Sequence, residues 1–300
     1  MPNAALEVRT YGAQARPRVG FFTDTSLCIG CKACEVACKE WNRVPDDIAP
    51  WTGESYDNTR SLGADTWRHV AFVEQKVPVG AAGAARSLVQ TAAADGLAED
   101  AGLETYQEGD GLRWLMASDV CKHCTDAACL DVCPTGALFR TEFGTVVVQE
   151  DVCNGCGYCV PACPFGVLDQ RQGDGRVWKC TLCYDRLRDD KEPACAQACP
   201  TNSIQFGELD ELQRRAHARV ERLHVAGQDD ARLYLADAGD NGIGGAGAFF
   251  LLLDEPEVYG LPPAPAATTR DLRSTWAATG AAAVALAAGL AAAVLGGRRA

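Results

Sequence analysis

Sixteen cysteines in four compact groups of four constrain this 300-residue chain more than any other feature of its sequence. Disulfide scaffolds are usually short secreted chains. This chain is long, and residues 1–27 contain no apolar segment typical of a signal peptide. We therefore expect reduced thiols that bind metal. The groups, numbered in chain order, are Cys28, Cys31, Cys34 and Cys38; Cys121, Cys124, Cys129 and Cys133; Cys153, Cys156, Cys159 and Cys163; and Cys180, Cys183, Cys195 and Cys199.

The spacing within the groups indicates which metal centre they hold. Groups one and three have the C-x2-C-x2-C-x3-C spacing of bacterial two-cluster ferredoxins, while groups two and four have a longer gap between their second and third cysteines. Three closely spaced thiolates converge only around a ligand with several metal corners, such as a cubane. Zinc sites use two well-separated C-x-x-C arms instead. The spacing thus predicts four [4Fe–4S] clusters and disfavours zinc ions and disulfides.

The pairing of the groups follows from the same motif, in which the fourth cysteine of one group ligates the cluster of the other. The short stretch 134–152, with a predicted strand at Thr145–Gln149, is typical of one ferredoxin that contains groups two and three. Groups one and four then pair around it. The alternative pairs groups one and two, although 39–120 contains no ferredoxin-like connection. The predicted ligand sets are set A, Cys28, Cys31, Cys34 and Cys199; set B, Cys180, Cys183, Cys195 and Cys38; set C, Cys121, Cys124, Cys129 and Cys163; and set D, Cys153, Cys156, Cys159 and Cys133.

Residues beside the cysteines suggest lesser roles. A proline follows the fourth cysteine in three groups, at Pro134, Pro164 and Pro200, and proline suits the first turn of a helix. His123 lies inside group two, but the cysteine count is already complete, so we do not expect it to be a ligand. Four lysines next to ligands could tune cluster potentials, although such lysines are more often solvated: Lys32, Lys39, Lys122 and Lys179. Two aromatic residues, Tyr158 and Trp178, are expected to shield clusters from water.

The rest of the chain predicts an α+β fold. Apolar residues at helical spacing predict an amphipathic helix at Glu208–Val225, and two strand-like runs follow it at Ala231–Ala236 and Ala248–Leu253. Between those runs, Gly242–Gly247 matches G-x-G-x-x-G, but a strand follows it rather than a helix, so we predict a glycine-rich turn and no nucleotide site. The predicted parts are a ferredoxin-like module at 21–79 and 170–207; a low-complexity insertion at 80–111; an inserted ferredoxin-like module at 112–169; a helix and strand-pair extension at 208–266; and a transmembrane anchor at 274–297.

The predicted anchor is an uncharged, alanine-rich run that is long enough to span a bilayer. Trp276 lies near its start, and Arg298 and Arg299 follow its end, as is typical of a membrane helix. The terminal arginines favour a cytoplasmic end and an outward-facing cluster domain. A net charge of −12 argues against a nucleic-acid partner, because a phosphate backbone selects basic surfaces. No nucleophile–base arrangement is evident, so we expect no catalytic site in this chain.

The run from Cys28 to Asn42 resembles the iron–sulfur subunits of molybdopterin oxidoreductases, which include formate dehydrogenases and reductases for dimethyl sulfoxide, nitrate and polysulfide. The motifs 55–59 and 63–70 and the tail Phe249–Pro262 look like the formate dehydrogenase branch. The resemblance implies two nested ferredoxin-like modules, a molybdopterin-containing catalytic partner, and a membrane cytochrome b or quinone-binding subunit. The 56–70 segment and the tail are not needed to hold a cluster, so they are candidates for docking surfaces. The alternatives are a subunit of another such reductase and a free ferredoxin-type carrier.

Overall fold

The computed structural model describes residues 16–45, 56–57, 59–76, 112–237 and 242–296, so the predicted insertion at 80–111 lies outside the described residues. Strands and helices mix along these residues, which confirms the predicted α+β class. In chain order the strands are β1 (Val19–Asp24), β2 (Arg68–Lys76), β3 (Leu112–Val120), β4 (Leu138–Arg140), β5 (Val146–Val148), β6 (Asp169–Gln170), β7 (Val177–Trp178), β8 (Ile204–Glu208), β9 (Arg232–Tyr234) and β10 (Ala248–Leu252). The helices are α1 (Ala33–Asn42), α2 (Ala128–Asp131), α3 (Cys159–Ala162), α4 (Tyr184–Arg188), α5 (Ala194–Gln197), α6 (Leu209–Val225) and α7 (Leu272–Gly296).

A four-stranded sheet joins strands that are far apart in the sequence, in the order β8-β1-β10-β9. Its two central strands, β1 and β10, run parallel, and the outer strands pair with them antiparallel. Central strands that are covered on both faces read as nearly continuous apolar runs. Accordingly Phe21 and Phe22, which point to opposite faces of β1, are both fully buried.

Helix α6 covers one face of this sheet. Its apolar residues recur at helical spacing, and Leu212, Ala216 and Leu223 are fully buried, while charged residues such as Arg214, Arg215 and Glu221 lie on the exposed side. The helix predicted at Glu208–Val225 and the strands predicted at Ala231–Ala236 and Ala248–Leu253 are therefore confirmed. A second apolar core, separate from the one that surrounds the cysteines, forms between this helix and the sheet.

The two-stranded ribbon β2–β3 connects the region of group one to the start of group two. The strands pair antiparallel along nine residues each, with Arg68 opposite Val120. The predicted strand at His69–Val73 lies within β2. This register places the first residue of β2 directly beside the last residue before Cys121.

Short helices at the cysteine groups pack in two pairs. Helix α1, which carries the end of group one, packs against α5 of group four, and α2 of group two packs against α3 of group three. Antiparallel hairpins follow two of the groups, with β4 paired to β5 after group two and β6 paired to β7 after group three. The contacts therefore join the same pairs of groups that the sequence analysis joined.

The prolines after the fourth cysteines do not begin helices, contrary to the prediction. The backbone N–H groups of Gly136, Gly166 and Asn202 instead donate to the carbonyls of the three cysteines that precede the prolines, which closes β-turns. Proline is favoured at the second position of such turns, and these three closing residues all have positive φ. The three turns are followed closely by strands β4, β6 and β8, respectively.

The tail that was a candidate docking surface is largely core. The side chains of β10 are buried, and Tyr259 and Leu261 pack beneath them. By contrast, Tyr56 in the other candidate segment is 59% exposed and contacts the rings of Phe72 and Trp114. Of the two candidate segments, 56–70 is therefore the one whose described residues include an exposed aromatic ring.

The last helix, α7, has no buried residue within Ser274–Ala293, where the mean hydropathy is 1.6. By length and composition this segment could cross a membrane, as the sequence predicted. Its position outside both apolar cores distinguishes it from the core helix of a globular domain.

Candidate metal centres

The loops that carry the cysteines are curled by residues with positive φ. Gly30 and Lys32 take this conformation in group one, and Gly155 and Gly157 take it in group three. His123 in group two has a φ of 45°. Left-handed backbone is costly for residues other than glycine and is found at sites where the surrounding structure enforces it. The loops are thus held in a shape that turns successive thiols toward one side.

All four cysteines of set A line one recess in the structure, together with Val70, Ser118 and Ile204. The four cysteines of set D line a second recess, with Leu138, Val148 and Val177 as apolar walls. Each recess therefore combines three cysteines of one group with the fourth cysteine of another. Cys199 joins group one, and Cys133 joins group three.

Within set B, and likewise within set C, the four cysteines lie close enough to affect one another's pKa. The pKa of Cys38 is well above its ordinary value, first because the thiol is buried and then because Cys180, Cys195 and Cys183 surround it. The pKa of Cys124 is raised by burial and then by three other thiols, those of Cys121, Cys129 and Cys163. The structure thus brings together each of the four predicted sets.

The chemistry of these donors fits iron–sulfur clusters. Burial raises the pKa of Cys28 and Cys159 to about 11 and that of Cys129 and Cys180 to about 12. Thiols of this kind become the thiolates that metal ligation needs only when a positive centre compensates for the lost solvation. Among the described residues no group of His, Cys, Asp or Glu forms a site for a single metal ion. Quartets of thiols around a recess suit a larger, multi-iron centre instead.

His123 is placed as a neutral structural residue. Its Nδ1 accepts a hydrogen bond from the backbone N–H of Val146. Burial, followed by the charges of Lys179, Arg18 and Arg140, holds its pKa well below the ordinary value.

Two of the four lysines near the ligands are fully buried rather than solvated. Lys122 pairs with Asp119 and lies 5.1 Å from the ring centres of both Phe165 and Phe250. Lys179 donates to the carbonyl oxygens of Val146 and Cys180. Buried lysines need such partners because an uncompensated charge in the interior is costly. The other two, Lys32 and Lys39, keep partial contact with solvent.

The aromatic residues that were expected to shield clusters differ from one another. Trp178 packs between Arg171, 4.0 Å from its ring centre, and Trp67, whose ring stacks on it. Tyr158 is 63% exposed. The glycine-rich segment Gly242–Gly247 leads into β10 and hydrogen-bonds to the backbone of group two, which fits the predicted turn.

Sequence reasoning missed one cation, Arg68, which is far from every cysteine in the sequence. The β2–β3 ribbon carries it into the interior, where its electrostatic neighbours are cysteines of sets A and B. Its position next to Trp67 and His69 in the sequence gave no sign of this location. Only the pairing register of the two strands places it there.

Comparison with known proteins finds 4Fe-4S families and subunits of formate dehydrogenases and of a dimethyl sulfoxide reductase. Residues 112–209 match the family described as "4Fe-4S dicluster domain", and residues 25–41 match the "4Fe-4S binding domain". The chain is 38% identical over 263 residues to the nitrate-inducible formate dehydrogenase iron–sulfur subunit of Escherichia coli, covering 86% of this chain and 76% of that protein. It is 38% identical to the formate dehydrogenase iron–sulfur subunit of Haemophilus influenzae, over 81% of this chain and 68% of that one. One subunit of the anaerobic dimethyl sulfoxide reductase of Escherichia coli is 36% identical over 65% of this chain and 76% of its own length.

Proposed function

Because this protein belongs to the family of formate dehydrogenase iron–sulfur subunits, we propose that it relays electrons from formate oxidation to a membrane subunit that reduces quinone. The electrons would come from a molybdopterin-containing catalytic partner, and four [4Fe–4S] clusters in this chain would carry them. When bound, each cluster accepts and donates one electron at a time. The observation that carries this proposal is the gathering of sixteen cysteines into four quartets, each drawn from two groups.

The ligands we assign are those of sets A to D. This assignment implies two nested ferredoxin-like modules, in which groups one and four form the outer module at 21–79 and 170–207 and groups two and three form the inner one at 112–169. The packing of α1 on α5 and of α2 on α3 supports the pairing. The alternative pairing of groups one and two would leave the contact between α1 and α5 without a role.

The four sets would follow one another in a single line. Cys195 of set B is among the charges that act on Cys34 of set A. Cys121 of set C acts on Cys180 of set B, and Cys159 of set D acts on Cys129 of set C. These neighbours support the order A, B, C and D. Each end of this line contains one exposed thiol, that of Cys31 or of Cys156, where an electron could enter or leave.

The segment just before α7 supports an assignment of which end of the line faces the membrane. Thr268 donates from Oγ1 to the carbonyl of Ala162, and Thr269 donates from Oγ1 to the carboxylate of Asp131, at 3.2 and 2.7 Å. Ala267 is buried against the same two short helices, α2 and α3. These helices carry cysteines of sets C and D. We therefore assign set D to the membrane partner and set A to the catalytic partner, beside the exposed aromatic ring of Tyr56.

We assign α7 as a single-pass anchor in the cell membrane and place the cluster domain on the outer face. The anchor assignment rests on the length and apolar composition of Ser274–Ala293. The outward orientation rests on Arg298 and Arg299, since arginines beside a span favour the cytoplasmic side. Protease added to sealed, right-side-out cell membranes should then cleave the cluster domain. Protection from the protease in those membranes would reverse the orientation.

Iron content and two cysteine substitutions test the cluster assignment. Protein purified without oxygen should contain about sixteen irons per chain, four for each [4Fe–4S] quartet. Cys199→Ser should damage the set A cluster, and Cys38→Ser should damage the set B cluster, as followed by EPR. The reverse pattern would show that each group keeps its own fourth cysteine.

Deleting the gene tests the reaction. Membranes of the deletion strain should lose formate-dependent reduction of a quinone analogue. They should keep part of the formate-dependent reduction of a dye that accepts electrons directly from the catalytic subunit. If formate-to-quinone transfer persists while respiration on dimethyl sulfoxide fails, the protein serves a reductase instead, as its similarity to the dimethyl sulfoxide reductase subunit would allow.

A further inference from the structure

Arg68 is a fully buried cation at the start of β2. Its guanidinium carbon lies 4.8 Å from the centre of the Phe21 ring. Nη1 donates to Ser118, at 3.0 Å from the hydroxyl oxygen and 3.3 Å from the carbonyl oxygen. The same hydroxyl lies 3.2 Å from the Sγ atom of Cys34. One side of the guanidinium is therefore fixed against a residue that also contacts a ligand of set A.

The other two guanidinium nitrogens, Nε and Nη2, are buried and bond no oxygen or nitrogen atom. The thiol of Cys195 is in hydrogen-bonding contact with Arg68. Among the residues that the structure describes, no ion pair joins Arg68 to a carboxylate, whereas the buried Arg219 pairs with Asp24. A buried charge without a counter-charge destabilises a protein strongly. Some other negative group must therefore compensate Arg68 in the working protein.

The groups that face Arg68 are cysteines from two different sets. Cys195 and Cys34, followed by Cys180 and Cys38, are the cysteines near enough to act on its charge, and Cys195 also hydrogen-bonds it. Cys34 belongs to set A and the other three belong to set B. Arg68 thus lies where two adjacent sets approach each other, and an arginine side chain stays charged at any working pH.

We propose that Arg68 is the shared counter-cation of the clusters in sets A and B and raises the reduction potentials of both. The proposal rests on the cluster ligation proposed above. Each reduction step adds one negative charge to a cluster, and a fixed cation in a poorly solvated site stabilises that added charge. The electron comes from the catalytic partner, and Arg68 itself gains neither an electron nor a proton. Arg68 is therefore a positioning residue: it holds a fixed positive charge beside both sets and takes no part in the electron transfer itself.

Arg68→Gln tests this role, because glutamine can still bond Ser118 but carries no charge. The variant is made in the full chain with its partner subunits, and the clusters are titrated by EPR at controlled potentials. One Cys→Ser substitution in each set assigns the signals. At a fixed potential, the ratio of reduced to oxidised cluster should fall about tenfold in sets A and B, a shift of about 59 mV for one electron. Arg68→Lys keeps the charge and should restore most of the ratio.

Lys179→Met is the matched control, because it removes another fully buried cation one step further along the line. Lys179 acts on Cys180 of set B and Cys129 of set C. This variant should therefore shift sets B and C and leave set A unchanged. Neither variant should shift set D.

The outcomes separate this inference from the proposal that it rests on. Wild-type protein with much less than its full iron content overturns both. Full iron with unchanged potentials in Arg68→Gln, or with equal shifts in all four clusters, overturns the role of Arg68 alone. If Arg68→Gln loses iron, Ser118→Asp replaces it and set B is the readout, because the new carboxylate pairs with Nη1 of Arg68 but also lies beside Cys34 of set A. A fall in the potential of set B is expected there, and an unchanged set B overturns the role.

Discussion

At the scale of single residues, the cysteine loops depend on backbone that only a few side chains tolerate. Gly155 has a φ of 71°, and a Cβ atom added to it would lie 2.3 Å from the carbonyl oxygen of Gly175. That carbonyl belongs to the hairpin between β6 and β7. The loop of set D is therefore packed directly against the hairpin that follows it, with no room for a side chain.

Gly155→Ala should disturb the set D cluster selectively. The new methyl group would push the loop from the hairpin, so we expect iron content to fall by up to about four irons per chain, the content of one cubane. Gly166→Ala is the matched control, because Gly166 also has positive φ but an added Cβ meets nothing within 4 Å. It should cost only about 1–2 kcal/mol of backbone strain and keep its iron. Equal iron loss in both variants would mean that the positive φ, and not the contact with the Gly175 carbonyl, is what cluster binding depends on.

At the scale of elements, α6 is fixed to β1 by a buried ion pair as well as by apolar packing. Arg219 donates from Nε to Asp24 at 3.0 Å and from Nη2 to the hydroxyl of Ser26. Both partners of the ion pair are almost fully buried. This contact connects the extension to the strand that leads into group one, so the sheet and the first cysteine loop share one rigid base.

Arg219→Gln should lower the free energy of unfolding by about 3–5 kcal/mol, because the Asp24 carboxylate is left buried without a counter-charge. Urea-induced loss of helical circular dichroism measures the change. The double variant with Asp24→Asn should be more stable than Arg219→Gln alone, since it leaves two neutral groups. As a control, Arg215→Ala removes an exposed pair with Glu211 and should cost under about 0.5 kcal/mol. A double variant weaker than both singles would contradict this account.

How much could be predicted from the sequence depends on whether the signal is local. The amphipathic pattern of α6 is a local signal, and it gave the bounds of the helix within one residue. The grouping of the cysteines is also local, whereas the ligand sets built from the groups stay a prediction. Three features could not be derived, because each depends on contacts between distant segments. The Phe249–Pro262 tail enters the core through pairing with β1, and Arg68 reaches the ligands through the register with β3. Pro134 is the second residue of a turn that Gly136 closes onto Cys133, and β4 follows that turn.

At the scale of the whole molecule, the proposed line of cysteine sets ends near the segment that leads into the last helix. The exposed thiol of Cys31 is at one end of this proposed line, and Thr268 and Thr269, just before α7, contact Ala162 and Asp131 at the other end. An anchor attached there would hold the exit of the line near the bilayer and leave the entrance free. The composition of the helix determines whether it can span a membrane, and its point of attachment determines which end of the line would lie near that membrane.

Substitution in the middle of α7 tests the anchor. Val284→Arg should move the protein from the membrane fraction to the soluble fraction, since an arginine at the centre of a span costs about 2.5–3.5 kcal/mol. Val284→Leu should leave the distribution unchanged. Cutting the chain after Arg270 should release the cluster domain with its iron intact. Membrane retention of the cut protein would mean that partner subunits, and not α7, hold it there.

The proposed exchange of ligands between groups one and four has a consequence for biosynthesis. Cys180 is about 140 residues after Cys38, and ribosomes add about 5–20 residues per second. Group one therefore emerges on the order of ten seconds before its partners exist, while groups two and three are translated close together. The inner module can complete its ligand sets first, and the earliest thiols wait longest without protection. Newly made chains should thus be most vulnerable to oxygen at the cysteines nearest their N-terminus.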